Sequence, residues 1–351
     1  MPARVVNFGS INIDYVYAVA HFLRGGETLA ASSRAVHAGG KGLNQSTALA
    51  HAGLDVAHAG MIGGDGVFLK GFLEAEGVDV SRIAVSDIYP TGHTVIQVAP
   101  DGENSILYFA GANKALSSNY IDEVLADFGS GDFLVLQNET NAVGEIIEKA
   151  ARKGLKTVFS PAPYDASVQA LDLSTLYALI LNRTEACGIL GLDDGTSDAG
   201  GQALSAEAML TALAKKCPNT IVIVTLGSAG AAYRLPDGEI RRVPVFEVPE
   251  VVDTTGAGDT FTGFAVRALA RYAENCAGGA GPFEPDAEFF LDMHAAAEAA
   301  ALSVMKPGAA ESIPRWSDLR FPAAAREALL SGKPLEAVLP IGAESAKTAR
   351  R

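Results

Sequence analysis

Short runs of Val, Ile and Leu recur along the chain, at 5–8, 133–136, 157–159, 176–181 and 220–226. Each has the length and composition of a strand buried on both faces of a parallel sheet. Between them, 141–153 and 206–216 space their apolar residues at helical period, and strand then helix alternate. That alternation predicts an α/β fold built on an open, mostly parallel sheet flanked by helices. Two early stretches, 13–37 and 91–110, read as strands with no helix between them. The second reads as a hairpin, TVIQVAP and SILYFA, turning at Asp101-Gly102. Together they predict a small β-sheet beside the main body. The acidic and aromatic run 283–290 reads as a loop leading into the last large helix. The Ala-rich end, 322–351, reads as a surface helix and frayed tail.

The chain has 351 residues, enough for about two domains. The reading places an α/β body at 1–11, 38–90 and 111–321 and a discontinuous β lid at 12–37 and 91–110. Lys and Arg number 27 against 41 Asp and Glu, a net charge of -14, so nothing global attracts nucleic acid or an anionic membrane. An anionic ligand must be bound by a local site. Cys187, Cys217 and Cys276 form no metal-spaced pair, and no run approaches the roughly 20 apolar residues of a membrane span. A cytoplasmic protein is expected. The histidines, His21, His37, His51, His58, His93 and His294, lack ligand spacing and read as structural or exposed.

The chemistry concentrates in Asp253-Thr254-Thr255-Gly256-Ala257-Gly258-Asp259-Thr260, followed by Phe261, Phe264, Ala265, Ala268, Leu269 and Tyr272 at helical spacing. A glycine-rich turn therefore runs into a helix N-terminus, where backbone N–H groups and the helix dipole suit a phosphate oxygen. Asp259 falls in the first turn. By itself it is open to two roles, capping the helix or taking a proton from a substrate hydroxyl. GGKG lacks the Ser or Thr that follows Lys in a P-loop, and no GxGxxG follows the first strand, which argues against P-loop and dinucleotide folds. Asn12 and Asp14 lie just past the first strand, where an open α/β sheet meets its ligand.

DTTGAGDTFTG closely resembles a signature of the ribokinase-like (PfkB) carbohydrate kinases. Gly9-Ser10-Ile11-Asn12-Ile13-Asp14, Gly26-Glu27-Thr28, Gly39-Gly40-Lys41-Gly42-Leu43-Asn44-Gln45, Gly111-Ala112-Asn113, Asn182-Arg183-Thr184-Glu185 and Thr225-Leu226-Gly227-Ser228-Ala229-Gly230 follow in family order. The resemblance implies the ribokinase-like fold with its β lid and an ATP-dependent sugar kinase, with D-ribose converted to D-ribose 5-phosphate as the first expectation. A ketose, a deoxysugar acid or a nucleoside is the alternative within the family, and a non-catalytic sugar sensor the alternative outside it.

Carried over by position, the resemblance makes Asp259 the general base and Gly256, Ala257 and Gly258 the anion hole. It gives the sugar Asn12, Asp14, Gly40, Lys41, Gly42, Asn44 and Glu139. Thr225, Gly227, Ser228, Gly230, Gly258 and Asn182 would meet the nucleotide, and Asn182 and Glu185 the magnesium region. Asp253, Thr255, Ser303, Lys306, Gly308 and Ser312 would surround a potassium ion. Leu43, where ribokinases often carry Ala, would narrow the sugar pocket. Ala229 stands where some members carry Arg, and Ala297 leaves the adenine position without a polar side chain. A homodimer assembled through the lid is the expected partner arrangement.

Overall fold

A computed structural model describes residues 4–192, 204–236, 238–278, 285–321 and 327. In chain order it begins β1 (Arg4–Phe8), β2 (Asn12–Ala18), β3 (Ser33–Gly39), α1 (Lys41–His51), β4 (Asp55–Gly63), α2 (Val67–Ala75) and β5 (Ile83–Ser86). The hairpin β6 (Gly92–Val98) and β7 (Asn104–Phe109) follows, then α3 (Ser118–Leu125), β8 (Phe133–Gln137), α4 (Val143–Arg152) and β9 (Lys156–Ser160). The chain continues through β10 (Ala178–Asn182), α5 (Arg183–Leu190), α6 (Ala206–Lys216), β11 (Ile221–Thr225), β12 (Ala231–Arg234) and β13 (Ile240–Val243) to α7 (Ala257–Cys276) and α8 (Pro285–Ser303).

Nine strands form the main sheet in the order β13-β12-β11-β10-β9-β8-β1-β4-β5. Only β12 and β13 are antiparallel to their neighbours. The continuous apolar runs follow from burial on both faces. Val5, Phe133 and Val135 join one core with α1, α2, α7 and α8, while Val6, Leu134 and Leu136 join a second with α3 to α6. On the first face α1 and α7 lie so close that a Cβ at Gly263 would sit 2.4 Å from that of Ala48. Only glycine permits that approach, and it brings the start of α1 onto the start of α7.

The small sheet has the order β3-β2-β6-β7. Its register pairs Asp14 with His37 and Thr94, and Thr94 with Tyr108, so these four share one face. Val16, Ile96 and Ile106 continue that face, and Tyr15, Val36, Val95 and Leu107 lie on the other. Val16 and Val95 therefore point to opposite sides.

The run 283–290 is not wholly a loop. Phe289 and Phe290 belong to α8, and Phe289 is buried edge-on against Tyr233, ring centroids 5.1 Å apart. The expected tail 322–351 lies outside the described residues except for Glu327. All three cysteines are free, Cys187 and Cys217 buried and Cys276 exposed. Among the described residues no helix is long and apolar enough to cross a membrane.

Candidate active site

Asp259 sits in the first turn of α7 behind Gly256, whose φ of 78° is the left-handed conformation that glycine adopts without strain. No side chain caps this helix. The buried Asp259 carboxylate instead reaches across to α1, accepting from Asn44 Nδ2 at 3.0 Å through Oδ2 and from Gln45 Nε2 at 2.9 Å through Oδ1. Of the two roles open to it in the sequence, capping has no hydrogen bond here. Asn44 Oδ1 is buried without a partner among the described residues.

Of the three residues expected to form an anion hole, two border the same space. Gly256 and Gly258 line a cavity of about 220 Å³, but Ala257 does not, and its N–H turns back to Thr254 O at 3.3 Å. The cavity runs from Asp259 and Lys41 to Asn182, Glu185 and Thr225. The fold therefore gathers side chains from α1, α5, α7 and the end of β11 around one space.

Lys41 opens α1, and its own N–H donates to Glu139 Oε2 at 3.0 Å, an oxygen that also accepts from Ser10 Oγ. The Asp259 carboxylate holds the Lys41 ammonium above its ordinary pKa against the opposing pull of burial, with Glu139 and Glu185 adding to it. Burial in turn raises Glu139 and Glu185. One cation among three buried carboxyls leaves a site that attracts further positive charge. Gly40, at φ 96°, passes within 2.9 Å of Ser10 O if given a Cβ, and the Gly42 N–H is spent on Ser10 Oγ at 3.2 Å. Gly42 thus packs against Gly9 and Ser10 and offers no free donor.

Beneath the small sheet a second polar group forms. Asn113 Nδ2 donates to Asn12 Oδ1 at 2.7 Å, Asn113 Oδ1 accepts from the Ile11 N–H at 2.9 Å, and Thr94 Oγ1 donates to Asp14 at 2.6 Å. Burial raises Asp14, partly offset by that bond. Tyr108 lies on the same face as Thr94, and burial together with nearby Glu139 pushes its hydroxyl up to about 12, with Asn113 opposing the shift. Leu43 is fully buried in the core with Phe264 and is not among the cavity-lining residues.

On the other side, Asn182 and Glu185 form a reciprocal capping box at the start of α5, each side chain bonding the other's backbone N–H at 2.9 Å. Both still line the cavity. Thr225, the last residue of β11, lines the cavity, and in the turn that follows Gly227, Ser228 and Ala229 are exposed. A Cβ on Gly230 would strike Val243 O at 2.1 Å, so that glycine serves strand packing. Ala297 is buried in the core.

Asp253 ties two loops together, accepting from the Thr255 N–H at 2.9 Å and the Gly308 N–H at 3.1 Å. Burial raises its pKa, and these bonds outweigh that and hold it below the usual range. The hydroxyls of Ser303 and Ser312 donate to Ala300 O and Ala309 O, both at 2.9 Å, and Lys306 is exposed. Among the described residues no three His, Cys, Asp or Glu side chains are placed to hold a metal ion.

Ser10, Gln45, Thr94, Tyr108, Asn113 and Gln137 were not singled out from the sequence. Ser10, Gln45 and Asn113 lie inside recognisable motifs. Thr94 and Tyr108 emerge only from sheet register.

Residues 2–316 match the pfkB family carbohydrate kinase profile. The chain belongs to this family. Ribokinase of Haemophilus influenzae is 35% identical over 319 residues, covering 89% of this chain and 96% of its own. Among solved structures, ribokinase of Cryptococcus neoformans var. grubii in complex with ADP is 31% identical, with a TM-score of 0.74 over 90% of this chain and 98% of that one. Arabidopsis thaliana ribokinase complexed with ribose and ATP is 26% identical, also with a TM-score of 0.74, over 90% and 97%. The α/β body with its second sheet is thus a carbohydrate kinase fold, and this pfkB kinase is an enzyme.

Proposed function

We propose that this kinase transfers the γ-phosphoryl group of ATP to the 5-hydroxyl of D-ribose. The observation that carries the reading is the buried Asp259 carboxylate, fixed by two amide donors at one end of a cavity that Lys41, Gly258 and Glu185 also line. A proton acceptor beside backbone N–H groups is what phosphoryl transfer needs, because its catalysis is mostly positioning and stabilisation of spread negative charge. Asp259 takes the hydroxyl proton as the sugar oxygen attacks the γ-phosphorus and the bond from phosphorus to the departing ADP oxygen breaks. Gly256, Gly258 and the start of α7 face the transferring phosphoryl oxygens, and Lys41 balances their charge. Asn44, Asp14 and Glu139 accept from the sugar and Asn12 donates to it through Nδ2, with Asn113 Nδ2 holding Asn12 Oδ1.

Magnesium fits the donor set in a limited way. Glu185 keeps unused lone pairs beside Asn182, and with no protein cage the ion would be held mainly by the nucleotide phosphates and water, as magnesium usually is. When bound it neutralises charge on the phosphates. A potassium ion beside Asp253 would be held chiefly by backbone carbonyls of Thr255, Ser303, Lys306, Gly308 and Ser312. Segments 12–37 and 91–110 act as the lid over the sugar. The exposed apolar residues of that sheet, including Leu107 at 71% exposure, support a homodimer in which lids cover one another.

The deciding experiment is ATP consumption by the purified protein with a panel of sugars and nucleosides. Ribose gives the highest kcat/KM with a 5-phosphate product. A higher value for another sugar reassigns the substrate, and sugar binding without ATP consumption leaves a sensor.

A further inference from the structure

The Asp259 carboxylate ends a chain of buried side chains whose hydrogen-bond direction is set residue by residue. A carboxylate only accepts, so Gln45 turns its NH2 toward Asp259 Oδ1, 2.9 Å away. Gln45 Oε1 then faces inward and accepts from Gln137 Nε2 at 2.7 Å. The same nitrogen gives its second proton to Asn7 Oδ1 at 2.9 Å. Asn7 Nδ2 donates to Gly42 O and Ser46 Oγ, both at 2.8 Å, leaving the Ser46 hydroxyl to donate to His58 Nδ1 at 2.7 Å. His58 therefore keeps its proton on Nε2, 3.2 Å from Gly9 O. Asn7, Gln45, Ser46, His58 and Gln137 are each at most 1% exposed.

One atom bears the cost of this direction. Gln137 Oε1 is buried with no partner among the described residues. Flipping that amide would set its oxygen against the oxygens of both Gln45 and Asn7, two repulsions in place of two hydrogen bonds. The unpaired oxygen persists because the opposite side must donate.

We propose that Gln45 is a positioning residue for the proton acceptor, and that Gln137 locks the Gln45 amide in its donating direction. This rests on Asp259 being that acceptor. A donor on Oδ1 fixes the orientation of the carboxylate and leaves its remaining lone pairs to the cavity that Asp259 lines. The charged groups facing Asp259 are Lys41 from α1, Glu139 after β8 and Glu185 from α5, and a neutral substitution at Gln45 alters none of them.

The test uses the full chain carrying Gln45→Met, which keeps the volume and removes both polar atoms. Losing a hydrogen bond to a charged group lowers kcat at pH 7 by about ten- to a hundredfold, with the sugar KM within about threefold. A carboxylate that loses a donor is less favoured in its charged form, so the acid limb of the rate profile moves to higher pH. Gln137→Met lowers kcat less, and has no further effect in the Gln45→Met background because the two act on one bond. Should Gln45→Met not fold, Gln137→Met alone still shifts the acid limb. Nitrogen-15 NMR of the wild-type protein places the His58 proton on Nε2, a reading independent of any activity. An unmoved acid limb, multiplicative losses in the double variant, a KM rising as much as kcat falls, or a proton on His58 Nδ1 would each overturn the proposal. Wild-type protein inactive on every sugar would instead overturn the functional reading, and with it the role given to Gln45.

Discussion

Asn44 Nδ2 and Asp259 Oδ2 meet at 3.0 Å although 215 positions separate them. The contact exists because α1 and α7 pack through Gly263 against Ala48, which sets the first turns of the two helices side by side. The amide nitrogen fixes the carboxylate, and its oxygen has no partner among the described residues.

Replacing Asp259 with Asn keeps the shape of the side chain and removes its capacity to accept a proton. General-base assistance is worth about 100- to 10,000-fold, so kcat falls by that factor while ribose affinity, read by calorimetry, stays within a few-fold. A variant keeping more than about a tenth of wild-type turnover would remove Asp259 from the role.

Potassium should raise the rate by ordering the turn that Asp253 ties to Gly308, since both carboxylate oxygens are already committed to backbone N–H groups of the two loops. Rates compared in potassium and in a bulky organic cation at equal ionic strength make the check. Asp253→Ala should lose the difference. Equal wild-type rates in the two salts would leave the cation without a function.

The small sheet offers a two-sided test of assembly. Val16 shares the face of Asp14, and Val95 lies on the other, so a dimer that buries one face is broken by Val16→Glu or by Val95→Glu but not by both. Light scattering on the two variants identifies the buried face. Wild-type protein that is monomeric and fully active ends the dimer proposal, and two intact dimeric variants move the interface elsewhere.

Burial pushes both His58 and His294 down to about 4. Each takes a proton near pH 6.5 when unfolded but near 4 when folded, so the unfolded state binds more protons in between and stability rises with pH across that window. Each histidine withdraws about 3 kcal/mol once the pH is below both values. The buried carboxyls of Asp14, Glu139, Glu185 and Asp292, whose folded pKa values are raised, titrate in the opposite sense. Comparison with His294→Phe isolates one ring: its Nε2 is unpartnered among the described residues, and it lies against Phe290 and Phe321. Urea unfolding from pH 5 to 6.5 should show a shallower pH dependence in the variant by up to one proton. Identical slopes would show that His294 is charged in the folded protein.

The strands β1, β8, β9, β10 and β11 and helices α4 and α6 were legible because burial on both faces, or on one helical stripe, leaves a local pattern of apolar residues. The glycine turn before α7, the hairpin of β6 and β7, and the motif residues Asn12, Asp14, Lys41, Asn44, Asn182, Glu185 and Asp259 were legible for the same reason: each is carried by a short stretch with its own chemistry. The start of α8 was not, since an aromatic and acidic run becomes a helix only when Phe289 finds Tyr233 and Tyr272.

Roles that depend on distance were decided by tertiary structure alone. Nothing near position 259 says that its carboxylate will be met by α1 rather than by its own helix. Nothing near 257 says that its N–H will turn back into the loop. Val16 and Val95 look alike in sequence, and only the pairing register of β2 with β6 puts them on opposite faces, because side chains alternate along a strand and a shift of one residue inverts every assignment. Gln137 ends a buried strand in a run of five residues, and its link to Asp259 through Gln45 follows from being wedged between Gln45 and Asn7. A sequence specifies which groups are available. Which of them share a hydrogen bond is settled when helices and strands far apart in the chain pack together, since a bond of about 3 Å depends on the relative placement of whole elements.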